Sequence, residues 1–369
     1  MDYKRMPIEI EAPEQLGYGN VKYNLTESSV TDTVYSEIRV DINTLKLAYG
    51  DHAGKTELRD LIANESENIN KENVLITAGA ASALFIVATS LLEKEDHLVV
   101  IRPNYASNIE TPRAIGCGMD FVDLKFEDDW QISVADIKSK IKKNTRLISV
   151  THPHNPTGMC IPEGTLLEIA ELADKHNCYL LVDETYRELN HGKIYPIGAS
   201  LHKRIITVCS LSKAYGMPGI RIGWLVTQDP ALNELFLAAK EQIFVCNSVI
   251  DEEIAYQYLL KKDEYFASIR KHIDANLSIL HDWLKSETRI EMVIPQGGVV
   301  CFPRIKNGEN MDLKKFYSLL NSKYETFVGP GYWFEMPEHF MRIGFGWPAS
   351  EELAEGLKRI SLCLNEFHC

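Results

Sequence analysis

The chain has 369 residues, of which 45% are hydrophobic and 25% are charged, a composition typical of a globular protein. Its formal net charge of −13 argues against a nucleic-acid partner, and there is no run of lysines and arginines. No stretch reaches the roughly 18 uncharged apolar residues of a membrane span, and the N-terminus lacks the apolar core of a targeting signal, so we expect a cytoplasmic protein. A chain of this length can form one large domain and a smaller one.

Eight cysteines are scattered through the chain without a Cys-x-x-Cys pair or a zinc-like spacing to histidine, so no metal site is predicted. We expect them to be reduced and mostly buried as small hydrophobic side chains. Cys209 is likewise predicted to pack in the core, because it lies at the end of an apolar strand. The cysteines are Cys117, Cys160, Cys178, Cys209, Cys246, Cys301, Cys363 and Cys369.

The first 35 or so residues are interrupted by proline and glycine, which predicts an irregular arm that lies on other structure. A turn-rich segment containing Tyr49 follows. It leads into a helix with Leu58, Leu61 and Ile62 on one face.

From residue 73, short apolar strands alternate with helices, which predicts a mostly parallel sheet covered by helices. In such α/β folds, ligands bind beyond the carboxyl ends of the strands. The predicted strands are 74–76, 98–101, 146–150, 179–182, 205–208 and 222–226, and the predicted helices are 80–92 and 163–176.

From about residue 285 the pattern changes to short strands and exposed helices, and the chain ends in an amphipathic helix carrying Leu353, Leu357, Ile360 and Leu364. We therefore predict a large domain over 45–284 and a small α+β domain made of 1–44 and 285–369.

Unusual side chains follow the predicted strands. Asn155, then Asp183 with Tyr186, and then Lys213 each come just after a strand. A turn would explain Asn155 alone, and a helix cap would explain Asp183 alone. Together they place an amide, a carboxylate, a phenol and a lysine at successive strand ends of one sheet.

The loop around Lys213 reads SLSKAYGMPGIRIGW over residues 210–224. Its glycines and proline allow tight turns, and its serines and Arg221 carry groups that bind phosphate. The small residues 77–82 open a helix whose free N–H groups could hold the same phosphate. A lysine beside a phosphate site suggests a Schiff base with a phosphorylated cofactor.

These motifs resemble the fold-type I pyridoxal-phosphate enzymes of the class I/II aminotransferase family. The resemblance rests on HNPTG at 154–158, DETY at 183–186, the lysine loop and MRIG at 341–344, and it runs from about residue 45 to the C-terminus. It implies a three-layer α/β/α large domain and pyridoxal 5'-phosphate as the cofactor. It also implies transfer of the amino group of an L-amino acid to a 2-oxo acid.

The resemblance implies a role for each matched residue. Lys213 forms the aldimine with the cofactor and moves the substrate's α-proton, while Asp183 pairs with the pyridine nitrogen. Ala81 stands where many relatives carry a hydroxyl, so that phosphate contact falls to the backbone or another residue. The implied catalytic residues are Lys213, Asp183 and Tyr186; the cofactor-binding residues are Ala80, Ala81, Tyr105, Asn155, Asp183, Tyr186, Ser210, Ser212, Lys213, Arg221 and Tyr49; and the substrate-binding residues are Arg342, for the α-carboxylate, and Asn155.

The family pattern around Tyr49 implies that this side chain reaches the phosphate of a neighbouring subunit, and hence a homodimer. Three alternatives remain at this point. The run 295–304 is also similar to capreomycidine synthase, so elimination or cyclisation, or a β-lyase reaction, could use the same residues. A ligand-sensing domain of a regulator is disfavoured because there is no room for a DNA-binding helix-turn-helix and no basic patch. A nucleotide dehydrogenase is disfavoured because no GxGxxG follows the early strands.

Overall fold

The computed structural model describes residues 1–38 and 40–367. Its α-helices are α1 (Pro7–Glu11), α2 (Pro13–Leu16), α3 (Tyr35–Ile38), α4 (Thr56–Ala63), α5 (Gly79–Leu91), α6 (Ser107–Ile115), α7 (Val134–Lys140), α8 (Glu163–Lys175), α9 (Gly198–Leu201), α10 (Pro230–Ile243), α11 (Val249–Leu259), α12 (Lys262–Ser286), α13 (Leu313–Ser322) and α14 (Ser350–Leu364). Its strands are β1 (Tyr23–Asn24), β2 (Val74–Thr77), β3 (His97–Arg102), β4 (Gly118–Asp123), β5 (Thr145–Thr151), β6 (Tyr179–Asp183), β7 (Ile205–Ser210), β8 (Gly223–Thr227), β9 (Ile290–Glu291), β10 (Val300–Cys301), β11 (Arg304–Ile305), β12 (Thr326–Phe327), β13 (Gly329–Pro330) and β14 (Met341–Gly344).

A seven-stranded sheet forms the centre of the fold, in the order β2-β8-β7-β6-β5-β3-β4. The strands from β4 to β7 pair in parallel, whereas β8 runs antiparallel to both of its neighbours. All residues of β7 and β8 are buried, which explains their continuous apolar sequences. The predicted mostly parallel sheet is confirmed.

Helices cover both faces of this sheet. Leu181 of β6 packs in the same cluster as residues of α5 and α10, whereas Leu180 and Val182 pack with residues of α8. Because successive side chains of a strand point to opposite faces, this alternation requires a helical layer on each side. The large unit is therefore a three-layer α/β/α structure, as predicted.

Strand β4 is an element that the sequence analysis missed. Its sequence, GMDFVD, mixes apolar and charged residues, and only Val122 within it is buried. It lies at the edge of the sheet, where one side of the strand has no neighbour. The apolar run that identified the central strands is therefore missing here.

The N-terminal arm is more regular than predicted. It contains α1 and α2, and a proline begins each of these short helices. Proline is well suited to the first helical position because its missing N–H would have no partner there. Farther along, β1 pairs in parallel with β12 of the C-terminal part.

The C-terminal part carries small sheets and α14. Strands β10, β14 and β13 form a three-stranded antiparallel sheet, and the four predicted apolar side chains of α14 are buried. The backbone N–H of Gly344 donates to the carbonyl of Leu25, which joins this part to the arm. The arm and the C-terminal part are thus linked by hydrogen bonds, although the domain boundaries given above stay a prediction.

Within the residues described, no helix is both long and apolar enough to cross a membrane. The seven described cysteines are free thiols and five of them are buried, while Cys369 lies outside the described residues. The thiol of Cys209 donates to the carbonyl of Glu184 at 3.4 Å, so this side chain packs beside the lysine loop.

Candidate active site

A cavity lies at the carboxyl ends of β5, β6 and β7, where α/β folds bind their ligands. Every residue predicted to bind the cofactor lines it, apart from Tyr49. These are Ala80, Ala81, Tyr105, Asn155, Asp183, Tyr186, Ser210, Ser212, Lys213 and Arg221. Four further lining residues were not predicted, namely Leu84, Thr151, Thr185 and Pro218.

Asp183 is a buried carboxylate at the end of β6, with 4% of its surface exposed. Its Oδ1 accepts hydrogen bonds from the backbone N–H (3.2 Å) and the hydroxyl (2.6 Å) of Thr185, and its Oδ2 accepts from Asn108 (3.4 Å). Burial raises its pKa, and it forms no ion pair in the described part of the chain. A buried carboxylate is costly without a counter-cation, so this position suits a positively charged ligand atom.

A network of buried amides orients Asp183. The side chain of Asn108 also donates to Asn104 Oδ1 at 3.3 Å, and the Thr151 hydroxyl donates to the same oxygen at 2.9 Å. Sequence reasoning missed this network. The available signal was the pair of asparagines flanking Tyr105, four residues apart at the start of α6.

Lys213 lines the cavity in the loop after β7. Burial lowers the pKa of its amine, and within the described residues the amine has no hydrogen-bond or ion-pair partner. A larger fraction of this lysine is therefore neutral, and nucleophilic, at neutral pH than of an exposed lysine. The Lys213 carbonyl accepts from the N–H of Val30 at 3.0 Å, which fixes the loop against the N-terminal arm.

An anion-binding cradle lies at one end of the cavity. Helix α5 begins at Gly79 without a side-chain cap, which leaves its first N–H groups directed at the cavity. The Arg221 guanidinium donates to the Ser212 hydroxyl (3.3 Å) and the Pro218 carbonyl (2.7 Å), which holds it beside these groups. Ser210 also lines this cavity and adds a second hydroxyl to these groups.

Glycine is required where the cradle is narrowest. A Cβ on Gly79 would lie 2.6 Å from Nη2 of Arg221, and Gly79 has φ +79. A Cβ on Gly223 would lie 2.5 Å from the carbonyl carbon of Gly79. Both distances are too short for a side chain, so the two glycines bring the α5 N-terminus and the guanidinium together.

Arg342 is a buried guanidinium with 4% of its surface exposed. It donates to Asn155 Oδ1 at 3.1 Å and to the carbonyl of Thr26 at 2.7 Å, while its buried Nε has no partner. It has no carboxylate partner among the described residues, and burial lowers its pKa. This environment suits a ligand carboxylate, which guanidinium binds through paired hydrogen bonds. Since Arg342 donates to Oδ1 of Asn155, the orientation of this amide is fixed and its N–H groups are left to donate to a ligand.

Two tyrosines of the cavity contact the N-terminal arm. The hydroxyl of Tyr186 donates to the Ser28 carbonyl at 2.8 Å, so it must exchange this partner to donate to a cofactor oxygen as the resemblance implies. The ring of Tyr105 lines the cavity, and its hydroxyl donates to Glu9 at 3.4 Å. The loop carrying Asn155 is held by His154, whose ring nitrogens contact Thr157 and Pro103, and burial lowers the pKa of His154 to about 4.

Tyr49 is the one predicted cofactor residue that the fold does not bring to the cavity of its own chain. Its side chain is 85% exposed and does not line the cavity.

The residues present fit pyridoxal phosphate. The cradle at α5 matches a phosphate, and among the described residues the amine of Lys213 has no hydrogen-bond partner and the buried carboxylate of Asp183 has no counter-cation. These three features are the ones that a phosphorylated pyridine aldehyde requires.

Comparison with known proteins points to the same chemistry. The model of the family "Aminotransferase class I and II" matches residues 14–360, so the likeness starts earlier than the residue 45 expected from the motifs. An aspartate aminotransferase of Pyrococcus horikoshii is 29% identical over 86% of this chain and 83% of its own length. Capreomycidine synthase of Streptomyces vinaceus is 27% identical over 93% of this chain and 90% of its own length, which confirms the expected similarity.

Among solved structures, a pyridoxal-phosphate-dependent aminotransferase from Streptococcus suis superimposes with a TM-score of 0.92. The two proteins are 25% identical, and the match covers 100% of both chains. The fold of this chain is therefore that of a known aminotransferase over its whole length.

We expect pyridoxal phosphate to label Lys213 alone. Burial lowers the pKa of this amine, and it lies next to the anion cradle. Incubation with the cofactor, reduction with borohydride and peptide mass spectrometry will locate the label. Lys240 is the internal control, because it is fully buried and burial lowers its pKa to about 8, yet it does not line the cavity. A label on Lys240, or none on Lys213, contradicts the assignment.

Proposed function

The chain belongs to the aminotransferase class I and II family, and on this basis we propose which of its residues carry out each part of the reaction. It is a fold-type I, pyridoxal-phosphate-dependent aminotransferase that acts on amino acid and oxo acid substrates. One observation carries the proposal. Lys213 and Asp183 line one cavity, Arg342 donates a hydrogen bond to Asn155 of that cavity, and none of the three charged groups has an ion-pair partner among the described residues.

Bound pyridoxal phosphate supplies the electron sink that allows an amino acid to lose its α-proton. Asp183 binds the protonated ring nitrogen, and the Thr185 and Asn108 hydrogen bonds keep its oxygens in place. Because an adjacent positive charge favours the ionised carboxylate, this pairing offsets the effect of burial on the pKa of Asp183. Lys213 Nζ would hold the cofactor, and its amine would accept the proton from the substrate's α-carbon.

The remaining residues of the site bind the cofactor and the substrate and fix their orientation. The N–H groups of Ala80 and Ala81, with Ser210, Ser212 and Arg221, hold the phosphate, and the ring of Tyr105 stacks on the cofactor. The missing hydroxyl at Ala81 leaves the backbone of α5 and the serines after β7 to bind the phosphate. Asn155 and Tyr186 donate to the ring oxygen, and Arg342 binds the substrate's α-carboxylate.

We place the reaction in the cytoplasm. The seven described cysteines are free thiols, which fits a reducing compartment.

The first prediction for this function concerns the visible absorption band of the lysine-bound cofactor. With single L-amino acids and no oxo acid, we expect the band to disappear with release of one equivalent of oxo acid. Because the amino group stays on the enzyme until an acceptor arrives, adding a 2-oxo acid should restore the band. The absorption spectrum and the released product are measured together.

Elimination or cyclisation is the second candidate, favoured by the similarity to capreomycidine synthase. It predicts a different result in the same experiment. The band would recover without an oxo acid, while ammonia or a cyclic product accumulates. That outcome would overturn transamination but leave the cofactor assignment intact.

Replacing Arg342 tests the carboxylate site. Arg342→Gln should lower kcat/KM for amino acids at least about 30-fold, since loss of a buried charge partner costs about 2 kcal/mol or more. Most of the effect should appear in KM. The cofactor band should be retained, and Arg342→Lys should restore part of the activity because it keeps the charge.

Arg304→Gln is the matched control, because Arg304 pairs with Glu127 and Glu291 away from the cavity. It should leave KM unchanged. If Arg342→Gln instead loses the cofactor, or changes KM no more than the control does, the role given to Arg342 is wrong.

We further propose a homodimer in which Tyr49 binds the phosphate of the partner's site. Tyr49 lies in a segment with other exposed large apolar side chains, including Leu47 at 77% exposure, Val34 and Tyr35. Exposed apolar side chains that cluster in this way are typical of an interface. The placement of Tyr49 outside the cavity of its own chain agrees with this proposal.

Hybrid dimers test this arrangement. In a hybrid of Lys213→Ala and Tyr49→Ala subunits, one site receives both an intact lysine and an intact tyrosine only if Tyr49 acts across the interface. We expect a purified hybrid with two different tags to keep about half of the wild-type activity, since one of two sites is intact. The two parent homodimers should be inactive or impaired. A hybrid no more active than its parents, or an active monomer on sedimentation, would refute the proposal.

A further inference from the structure

A second cavity adjoins the cofactor site on the side of the N-terminal arm. Lys213 and Tyr105 line both cavities, and Arg342 lines the second cavity beside them. The arm supplies the opposite wall with three carboxylates, Glu9, Glu14 and Glu27. The same cavity therefore joins Arg342, the proposed carboxylate site, to the carboxylates of the arm.

The three carboxylates form no direct ion pair with a lysine or arginine among the described residues. Within the described residues, Glu9 accepts a hydrogen bond from Tyr105 (3.4 Å), Glu27 accepts one from Tyr18 (3.1 Å), and no lysine or arginine forms an ion pair with any of the three. Among the described residues, the cationic side chains lining this cavity are Lys213 and Arg342, which the proposed reaction already uses. Once the cofactor and the substrate's α-carboxylate occupy these two cations, the carboxylates of the arm remain for a positively charged group of the substrate.

The arm is held rigidly enough to present these groups. Glu11 accepts hydrogen bonds from Tyr332 (2.5 Å) and from the indole of Trp333 (2.7 Å), which ties α1 to the C-terminal part. The carbonyl of Thr26 accepts from Arg342 at 2.7 Å, next to Glu27 in the chain. Glu27 is also the half-buried member of the three, whereas Glu9 and Glu14 are exposed. Because solvent screens exposed charges, Glu27 should contribute most.

An independent observation shows that this cavity is built for a ligand. Arg342 is buried, lines the cavity and has a buried Nε without a partner. The cavity is thus lined by a guanidinium and by three carboxylates that form no direct ion pair with one another among the described residues. Its complement is a molecule with an anionic end and a cationic end.

We propose that the preferred amino donor is an L-amino acid with a cationic side chain, bound through that side chain by Glu27 with Glu9 and Glu14. This inference rests on the proposed function, since it takes Arg342 as the carboxylate site. An acidic side chain would instead meet three carboxylates with no cation of its own to bind, so dicarboxylic amino acids should be poor donors.

The test compares isosteric donors on the holoenzyme. L-Arginine and L-citrulline differ mainly in charge, and L-lysine differs from L-2-aminoheptanoic acid in having a terminal ammonium in place of a methyl group. We expect single-turnover kcat/KM to favour the cationic member of each pair by about tenfold or more, and this ratio should decrease as salt is added. Equal or reversed ratios would overturn the cationic preference but leave transamination intact. If no amino acid of any class releases an oxo acid, the proposed function itself fails and this inference fails with it.

Variants locate the effect on the arm. Glu27→Gln keeps an acceptor oxygen for Tyr18 but removes the charge, so the arginine-to-citrulline ratio should fall by about fivefold. The double variant Glu9→Gln with Glu14→Gln should lower it less. Glu171→Gln, on the exposed face of α8, is the matched control and should leave the ratio unchanged. A Glu27→Gln ratio equal to that of the control would assign the preference to other residues and overturn the proposal.

Discussion

The parallel register of β5, β6 and β7 is the constraint on which the site depends. It pairs Asp183 with Thr151 on one side and with Val208 on the other, at the carboxyl edge of the sheet. The chain must leave each strand at this edge, so Asn155, Asp183 and Lys213 reach one cavity from three separate loops. A slip of one residue would turn Asp183 to the opposite face of the sheet and remove it from the cavity.

The N-terminal arm contacts three residues of the site through its backbone. Its backbone carbonyls at Thr26 and Ser28 accept hydrogen bonds from Arg342 and Tyr186, and its Val30 N–H donates to Lys213. The same arm carries the glutamates that face the substrate pocket. Under the two proposals above, reaction chemistry and recognition of the substrate's side chain are divided between two parts of the chain. The sheet would supply the groups that bind the cofactor, and the arm would supply the groups that bind the substrate's side chain.

The sequence alone predicts the central sheet and most lining residues, because both depend on local signals. Apolar strands are recognisable when they are buried on both faces, and a polar residue directly after such a strand must lie at its carboxyl end. It does not predict the arm or the network around Asp183. Asn108 contacts Asp183 across 75 positions of sequence, and Thr26 contacts Arg342 across 316, so neither contact leaves a local pattern. Edge strand β4 was missed for a related reason, since partial burial leaves its sequence half polar.

Asp183 and Arg342 are buried and Lys213 is partly buried, at a cost that the described residues do not offset with an ion pair. Burial lowers the pKa of the lysine and of the arginine and raises that of the aspartate, so each charge is disfavoured where it stands. A sequence selected only for stability would pair these groups or replace them with apolar residues. In the proposed reaction, ligands supply the missing partners, a ring nitrogen for Asp183 and a carboxylate for Arg342. The carboxylates of the arm also lack an ion-pair partner among the described residues. Their charge costs less free energy, because they lie closer to solvent. Binding of cofactor and substrate should therefore stabilise the fold itself, since each ligand charge neutralises one that folding leaves uncompensated.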